Sequence, residues 1–481
     1  MRQRQTRRMP TARVLPRLVP LLAALSLVGC ASLTAAPTDG DAGVTLPTAW
    51  SSAASAPDAA SLSTWWQRFD DPALSSLVEQ ALAANTDVAS AEAALRQSRA
   101  LAQVQSARQG PSVDASGSAQ RSRSSGVPAS NSFRAGFDAS WEPDVFGANR
   151  SASAASELDA QASAASLGDV QVSVSAEVAL AYLTLRGSEA RLAIAQTNLA
   201  SQEETLQITR WRVQAGLATS LESEQARASV EQTRAQIPAL QTSIAQSRHQ
   251  LALLTGRTVA QLNLSRGTAL PLPPADLALS FPAETLRQRP DVRAAELKVS
   301  AAAQRVLQAD AARYPSFNLS GSLGLSALTL SGLTGGGALA SSLLASVSVP
   351  VFDGGAAKAQ VRAQEAALEQ ARVAHRGAVL TALKDVEDAL VAMQGDRERL
   401  TNLRQAAEAA DNAALLARQR YASGLVDFQT VLETQRSQLS AQDSVASGST
   451  ELAADHVRLY KALGGGWQPD APFHDKTAPR S

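Results

Sequence analysis

The sequence predicts a mixed α and β fold in which one unit occurs twice, each copy combining long helices with a pair of strands. Three observations lead to this prediction. Residue patterns recur at a fixed spacing, four segments alternate apolar and polar residues, and long stretches without proline carry apolar residues seven positions apart. They indicate, respectively, a duplication, a set of strands and a set of supercoiled helices.

The duplication is visible as paired motifs. Part of the first copy recurs 204 positions later without a gap, as in Asp87–Val88 with Asp291–Val292 and Pro111–Ser112 with Pro315–Ser316. The spacing then becomes 208, as in Gly187 with Gly395, Arg212 with Arg420, and Gly216–Leu217 with Gly424–Leu425. This period far exceeds the roughly 20 to 50 residues of solenoid repeats. We therefore expect an internal two-fold repeat, with a first repeat over 65–281 and a second over 282–467.

The N-terminus has the features of a bacterial lipoprotein signal peptide. Residues 1–29 contain six arginines and no acid, and their apolar run over 18–28 is too short to cross a bilayer as a helix. The run ends at Cys30 in a motif similar to a lipobox, so we expect cleavage before Cys30 and attachment of lipid (palmitate) to it. An ordinary secretory peptide with an incidental cysteine is the alternative. No other cysteine is present, which excludes disulfides and thiolate metal sites.

Two further segments are predicted to lie outside the folded repeats. Residues 30–64 are rich in Ala, Ser, Pro and Thr and are expected to form a lipidated flexible tether, and residues 468–481 are expected to form a C-terminal tail. Trp65, Trp66 and Phe69 are expected to dock the end of the tether onto the body. In lipoproteins, an alanine directly after the lipidated cysteine, as here, generally implies export to the outer membrane.

Charge and hydropathy exclude two classes of protein. The chain has 44 basic and 44 acidic residues, and removal of the six signal-peptide arginines leaves 38 against 44, a net charge of −6. Without a run of lysines and arginines, no nucleic-acid partner is expected. After residue 28 no stretch approaches the roughly 18 consecutive apolar residues of a transmembrane helix. Any membrane crossing by the mature chain is therefore expected to use strands.

Four segments have the strict period of two that is typical of strands with one apolar and one polar face. They cover about 112–122 and 131–142 in the first repeat and about 315–326 and 339–351 in the second. Half-buried strands of a soluble sandwich are the alternative. Two hairpins would bury little on their own, and each segment has the length of a membrane-spanning strand. The side chains then expected to face lipid are Phe133, Phe137, Trp141, Leu343 and Val347.

The remaining sequence predicts very long helices. Residues 146–212 contain no proline, and sixty-odd helical residues would form a rod on the order of 100 Å. Apolar residues seven apart, such as Val178, Leu185 and Leu192, indicate left-handed supercoiling against neighbouring helices. Most other positions are small, polar or charged, which suits a wall with water on both sides. Pro238 is expected to kink or break a later helix.

Four strands cannot close a membrane barrel by themselves. The smallest membrane barrels have about eight strands, and open strand edges are not tolerated in lipid. The chain is therefore expected to share strands between copies of itself. Two copies would give eight strands around a filled interior, whereas three would give twelve strands around a lumen that polar side chains can line.

Several motifs resemble a known family. They are Trp65–Leu74, Trp141–Glu142 with Val145–Gly147, Arg287–Glu296, and Tyr421–Arg436. Together they resemble the TolC-like outer-membrane factors, specifically the lipoprotein branch of NodT-type and multidrug efflux systems, over about Leu46 to Trp467. The resemblance implies an outer-membrane β-barrel shared between three protomers, with four strands each, continued by a long periplasmic α-helical coiled-coil barrel. The chain departs from the family pattern at Pro143 and Gln429.

The resemblance also implies a function. It predicts a passive homotrimeric duct that passes small molecules from an inner-membrane transporter, of the resistance-nodulation-division type, through a periplasmic adaptor to the exterior. A channel for type I protein secretion is the alternative, and a structural spacer lipoprotein is a third hypothesis that leaves the alternating strands unexplained. Neither an enzyme activity nor a cofactor is expected, apart from the lipid on Cys30, and the only other partner is outer-membrane lipid.

Two groups of residues are candidate functional sites. The turns Gly216–Leu217 and Gly424–Leu425 are expected to form periplasmic tips that contact the adaptor, although helix-capping glycines alone would also explain them. Gln429, Glu433 and Arg436 match the family's aperture-lining positions and are expected to form a periplasmic gate. Their first-repeat counterparts are Glu224 and Arg227. A spacing of three places acid and arginine on one helical face, where an ordinary surface pair is the alternative.

Catalytic and metal-binding patterns were not found. The four histidines lie far apart without metal-ligand spacing, at positions His249, His375, His456 and His474. The glycine cluster at 332–337 does not precede a helix, so it is a poor candidate for a phosphate-binding loop. No metal site is therefore expected.

Overall fold

The computed structural model describes residues 44–50, 62–265, 267, 270–272, 289–335 and 338–467. The signal peptide 1–29, Cys30, most of the tether and the tail 468–481 lie outside these residues, as do Arg287, Gln288 and His474. The described elements belong to one unit over Ala42–Ser481.

Apart from one additional short helix described in the first half, helices and strands occur in the same order in the two halves. In the first half, a 3₁₀ helix (Leu62–Phe69) precedes α1 (Pro72–Ala84), α2 (Thr86–Ala107), β1 (Ser112–Ser124), β2 (Val127–Trp141), α3 (Ala148–Gln214) and α4 (Ser220–Leu254). The second half contains α5 (Pro290–Ala311), β3 (Ser316–Ala327), β4 (Leu339–Ser348), α6 (Ala356–Ala422) and α7 (Phe428–Ala462). Short 3₁₀ turns also lie at Val259–Gln261 and Ser331–Thr334.

Corresponding helices of the two halves have equal lengths. Helices α3 and α6 have 67 residues each, α4 and α7 have 35, and α2 and α5 have 22. A 67-residue helix is about 100 Å long, in agreement with the rod predicted from the sequence. The predicted seam along α3 is used for packing, because Val178, Leu185 and Leu206 are buried. The halves thus present two long helical hairpins, α3–α4 and α6–α7.

The break considered at Pro238 does not occur. Helix α4 continues through this residue from Ser220 to Leu254. Proline removes one backbone donor from the helix, but Pro238 lies on the exposed face, where the carbonyl that loses its partner is open to water. The interruption is therefore tolerated in the middle of the helix.

The four strands form one antiparallel sheet in the order β1–β2–β3–β4. They coincide with the four alternating segments of the sequence, with two differences at the ends. Strand β2 begins at Val127, four residues before the predicted start, and β4 ends at Ser348, three residues before the predicted end. Pro350 explains the early end of β4, because proline cannot donate to a strand ladder.

Two of the motifs noted in the sequence, Trp65–Leu74 and Arg287–Glu296, contribute residues that contact distant parts of the fold. Trp65, Trp66 and Phe69 are buried, and the Trp65 ring stacks on Tyr460 of α7 with centroids 5.1 Å apart. The predicted docking of this segment is therefore present. Arg289, directly before α5, donates from Nη1 to the carbonyl of Ala462 at 2.8 Å and pairs with Asp291 and Asp385. This arginine joins the start of α5 to α6 and to the end of α7.

Candidate functional site

The register of the sheet decides which side chains share a face. Phe137 pairs with Ala115 of β1 and Leu323 of β3, and Gly321 of β3 pairs with Leu343 of β4. Directly paired residues lie on the same face, and every second residue along a strand returns to it. The register therefore places all five predicted lipid-facing residues on one face, which is exposed in the single chain. They are Phe133, Phe137, Trp141, Leu343 and Val347.

The opposite face of the sheet is polar. It carries Ser112, Asp114, Ser116, Ser118, Arg134, Asp138, Ser140, Asn318, Ser320, Ser322, Ser342, Ser346 and Ser348. Side-chain hydrogen bonds cross the strands on this face: Ser116 Oγ donates to Asp138 Oδ2 at 2.6 Å, and the hydroxyl oxygens of Ser322 and Ser342 lie 2.8 Å apart. Leu344 is an apolar exception. The sheet thus has one apolar and one polar face.

The two hairpins meet at a pair of glycines. Gly136 of β2 pairs with Gly324 of β3 on the polar face. A Cβ atom on Gly136 would lie 2.6 Å from Gly324 Cα, and one on Gly324 would lie 2.7 Å from the Ala135 carbonyl oxygen. Neither position has room for a side chain, so the close pairing of the two halves depends on both glycines.

Both long hairpins turn through the same backbone motif at their tips. Gly216 and Gly424 have φ of 73° and 74°, and the following leucine N–H groups bond the carbonyls of Arg212 and Arg420 at 2.7 and 2.8 Å. This is the geometry of a Schellman cap. Such caps commonly bury the apolar residue after the glycine, but Leu217 and Leu425 are 71% and 74% exposed. Capping therefore explains the glycines and leaves the leucines free for another contact.

The predicted gate residues form an exposed strip at the start of α7. Gln429, Glu433 and Arg436 are exposed, while Phe428 and Leu432 are buried on the adjacent face of the helix. The Gln429 amide donates from Nε2 to Glu433 Oε1 at 3.0 Å. The three residues share one face of the helix, as the sequence predicts, but Glu433 is bonded to Gln429 and not to Arg436.

The expected pairing of acid and arginine occurs in the first half only. Glu224 and Arg227 form an exposed ion pair at 3.2 Å. Within the described residues, Glu433 and Arg436 make no such pair, because Glu433 is held by the amide four residues before it. The hypothesis of a local Glu433–Arg436 pair is therefore wrong for the isolated chain.

Tyr421 is a functional candidate that sequence analysis noted only as part of a motif. Its ring lies 4.4 Å from the Arg212 guanidinium carbon and 5.4 Å from the Phe428 ring centroid, and its hydroxyl donates to Glu222 Oε2 at 3.2 Å. Burial raises the pKa of the tyrosine hydroxyl, so it stays protonated. Tyr421 therefore connects residues of all four long helices at the tip.

A polar seam joins α3 to α7 along the hairpins. Arg191 forms two hydrogen bonds with Asp443, at 2.7 and 3.0 Å, and Gln435 donates from Nε2 to Thr205 Oγ1 at 2.9 Å. These contacts have no signal in the sequence, because the partners lie more than 200 residues apart. Directional hydrogen bonds therefore join the two hairpins at these positions.

None of the described helices combines the length and the apolar character needed to span a bilayer. The family model described as Outer membrane efflux protein matches residues 77–257 and 281–465. The chain belongs to this family.

The outer membrane efflux protein has similar relatives along nearly its whole length. It is 36% identical over 477 residues to the pyoverdine export outer membrane protein OpmQ of Pseudomonas putida, covering 95% of this chain and 99% of that protein. It is 32% identical over 458 residues to outer membrane protein OprJ of Pseudomonas aeruginosa, covering 93% and 95%. Nodulation protein T of Rhizobium leguminosarum bv. trifolii is 30% identical over 414 residues, covering 85% and 88%.

Solved channel structures have the same fold. The outer-membrane channel OprN superposes with a TM-score of 0.82 at 35% identity, covering 88% of this chain and 99% of that one. The open state of the Neisseria gonorrhoeae MtrE outer membrane channel gives 0.82 at 29% identity, covering 89% and 97%. The protein is therefore an outer-membrane efflux protein, and its relatives are channels and transport proteins, not enzymes.

Proposed function

We propose that three copies of this chain form one passive channel through the outer membrane, with twelve strands in a shared barrel and the long helices continuing it into the periplasm. The observation that carries this proposal is the four-stranded sheet with one apolar and one polar face. Strands β1 and β4 leave open edges, which lipid does not tolerate. Eight strands would enclose the charged and hydroxyl side chains in a filled interior, whereas twelve leave a lumen for them.

The matched lengths of α2, α3 and α4 with α5, α6 and α7 support the internal duplication. They also support a helical barrel of regular height, because both hairpins of a protomer extend equally far from the sheet. Chemical cross-linking of the purified protein in detergent tests the assembly. Trimers are expected, and a ladder that stops at dimers would contradict the proposal.

Small molecules are the proposed cargo. Relatives are named for pyoverdine export in Pseudomonas putida and for toluene efflux, also in Pseudomonas putida. These names support small-molecule efflux over type I protein secretion. The substrate itself would be selected by the pump, because a passive duct discriminates only by size and charge. Restoration of drug or siderophore export in a strain that lacks its own channel tests this assignment.

The exposed leucines at the two tips support contact with a periplasmic adaptor, itself bound to an inner-membrane transporter of the resistance-nodulation-division type. Leu217 and Leu425 lie at the ends of the hairpins and are not used by their own caps. Replacing both by glutamate is expected to abolish co-purification with the adaptor while trimer yield is unchanged. Equal loss of trimer would assign the leucines to folding.

We propose a gate formed by the strip of Gln429, Glu433 and Arg436. On the adjacent face the helix is anchored by the buried Phe428 and Leu432, which fixes the orientation of the strip within its own chain. Three-fold symmetry would bring three strips around the axis, where acids repel unless a neighbouring arginine pairs with them. With Glu433 already held by Gln429, Arg436 is available for a carboxylate of the next protomer.

We further propose that Cys30 carries the membrane lipid and that no other cofactor is required. Cys30→Ser is expected to lose the lipid-dependent mass increment while retaining channel activity, because a strand barrel inserts without it. Mass spectrometry of the mature N-terminus, together with an export assay, measures both.

A further inference from the structure

Three carboxylates come together where α6 meets α7. Asp396 of α6 and Glu451 and Asp455 of α7 each place an oxygen within 4.8 Å of the others. Asp455 is only 1% exposed. Its Oδ1 accepts from Arg458 Nη1 at 2.6 Å, whereas its Oδ2 is buried and has no hydrogen-bond partner among the described residues.

The nearby bases do not neutralise all of this charge. Arg458 bonds both Glu451 and Asp455, at 2.7 and 2.6 Å, and Arg399 pairs with Asp396 at 3.3 Å. Three acids therefore face two arginines, and the contact between Asp396 and Asp455 has no donor of its own. Two carboxylates at such a distance strongly disfavour the doubly charged state, whereas a proton on one gives a donor to the other.

We propose that Asp396 and Asp455 share a proton that ties α6 to α7, and that release of this proton as the pH rises loosens the second hairpin at this level. Burial raises the pKa of the Asp455 carboxyl to about 6, with Asp396 acting in the same direction and Arg458 opposing it. The hairpin concerned is the one that carries the proposed gate.

Other charged groups surround the pair: Arg68 and Arg397 act on the neighbouring His456, and burial raises the pKa of the Asp169 carboxyl, with Asp291 acting in the same direction. Asp455 and Arg458 line a cavity of about 450 Å³ between α3, α5, α6 and α7. The remaining charged residues of its wall are Asp169, Arg289, Asp291, Asp385, Asp388 and Lys461. Arg289 is held by Asp291 and Asp385. Burial lowers the pKa of His456, the residue next to Asp455, to about 4, so this imidazole remains neutral.

The first half provides an internal control. At the spacing of 208 residues, Ser188 and Ser247 occupy the positions of Asp396 and Asp455. Both serines are buried, and Ser247 Oγ donates to the carbonyl of Ser243 at 2.9 Å. The α3–α4 hairpin therefore has no titrating pair at the corresponding level.

Infrared spectroscopy of the purified protein tests the shared proton directly. Between about pH 5 and about pH 8, the wild type is expected to lose a protonated-carboxyl C=O band with a midpoint near pH 6. Asp455→Asn should lack this change. Asp388→Asn is the matched control, since Asp388 lines the same cavity but is exposed and bonds Lys384 at 2.6 Å, and it should behave as wild type. An unchanged band in Asp455→Asn would overturn the proposal.

Amide hydrogen exchange of the wild type supplies a second measurement that needs no variant. Protection of α6 and α7 around Asp396 and Asp455 is expected to fall on the order of tenfold across the same pH interval, while the segments around Ser188 and Ser247 keep theirs. Equal responses of the two halves would contradict the proposal. The proposal would also be contradicted if calcium increased the protection of α6 and α7 and a chelator removed this increase. The carboxylates would then hold a divalent cation and not a proton.

Discussion

The hairpins α3–α4 and α6–α7 have equal lengths and the same capped tips but differ in their buried charges. In the first hairpin, one acid meets two bases: Glu189 accepts from Arg186 at 2.8 Å and from Arg248 at 3.3 Å. In the second, the corresponding level holds an excess of acid centred on Asp455. The two halves therefore share their backbone geometry but differ in the number and sign of their buried charges.

The largest effect is expected from removing the carboxylate of Glu189 from its cluster with Arg186 and Arg248. Glu189 and Arg186 are both nearly fully buried, so Glu189→Ala leaves two arginines without their carboxylate and should cost about 3–5 kcal/mol of unfolding free energy. Glu451→Ala in the second hairpin should cost less than about 1 kcal/mol, because that side chain is half-exposed. Chemical denaturation in detergent measures both, and equal losses would mean that the hairpins do not differ in this respect.

The strand hairpins, in contrast, are expected to respond alike. Phe137→Arg in the first half and Leu343→Arg in the second each place a charge on the apolar face, at about 2–4 kcal/mol if the site lies near the bilayer centre. Both variants should lower the amount of assembled protein in the outer-membrane fraction. Ser322→Arg on the polar face is the control and should assemble; a similar defect there would mean that the faces are assigned wrongly.

The contact between the strand hairpins is expected to be sensitive to a single methyl group. Gly324→Ala introduces a Cβ 2.7 Å from a backbone oxygen of β2, and such overpacking typically costs about 1–3 kcal/mol. Gly321→Ala on the same strand meets no atom closer than 3.5 Å and should be tolerated. Thermal stability of the two variants distinguishes a specific glycine pair from a general preference for small residues.

The smallest effect is expected at the tips. Glu433→Ala with Arg436→Ala should increase single-channel conductance in planar bilayers, while Glu224→Ala with Arg227→Ala, which removes a local surface pair, should change it less. Exposed charge interactions contribute roughly 0.2–1 kcal/mol, which limits the rise in open probability to about fivefold per interaction. Unchanged conductance of the first variant would make its residues ordinary surface groups.

Much of the fold was predictable because its signals are local. The alternation of Phe133, Phe137 and Trp141 defines a strand and its faces without any partner, and the spacing of Gly216 and Gly424 defines equivalent tips. Pro350 is also a local signal, and attention to its missing donor would have corrected the end of β4.

The charged contacts were not predictable, because their partners lie far apart along the sequence. Asp396 and Asp455 are 59 residues apart, and Arg191 and Asp443 are separated by 252, so no spacing rule relates them. At Glu433 a spacing rule was available, but the Gln429 amide on the same helix face bonds the carboxylate. Helical spacing predicts which side chains can contact each other. Competition among the neighbouring side chains determines which contacts form.

The position of Arg289 has a mechanical consequence. It fixes α5, α6 and the end of α7 at one point, beside Asp385 and Ala462. From Asp385 to the tip, α6 continues for about 37 residues, a lever arm of roughly 55 Å. A tilt of α6 by about 5° at this point would move the tip sideways by roughly 5 Å. A small change of orientation beside Arg289 is therefore amplified into a displacement about as long as one helical turn.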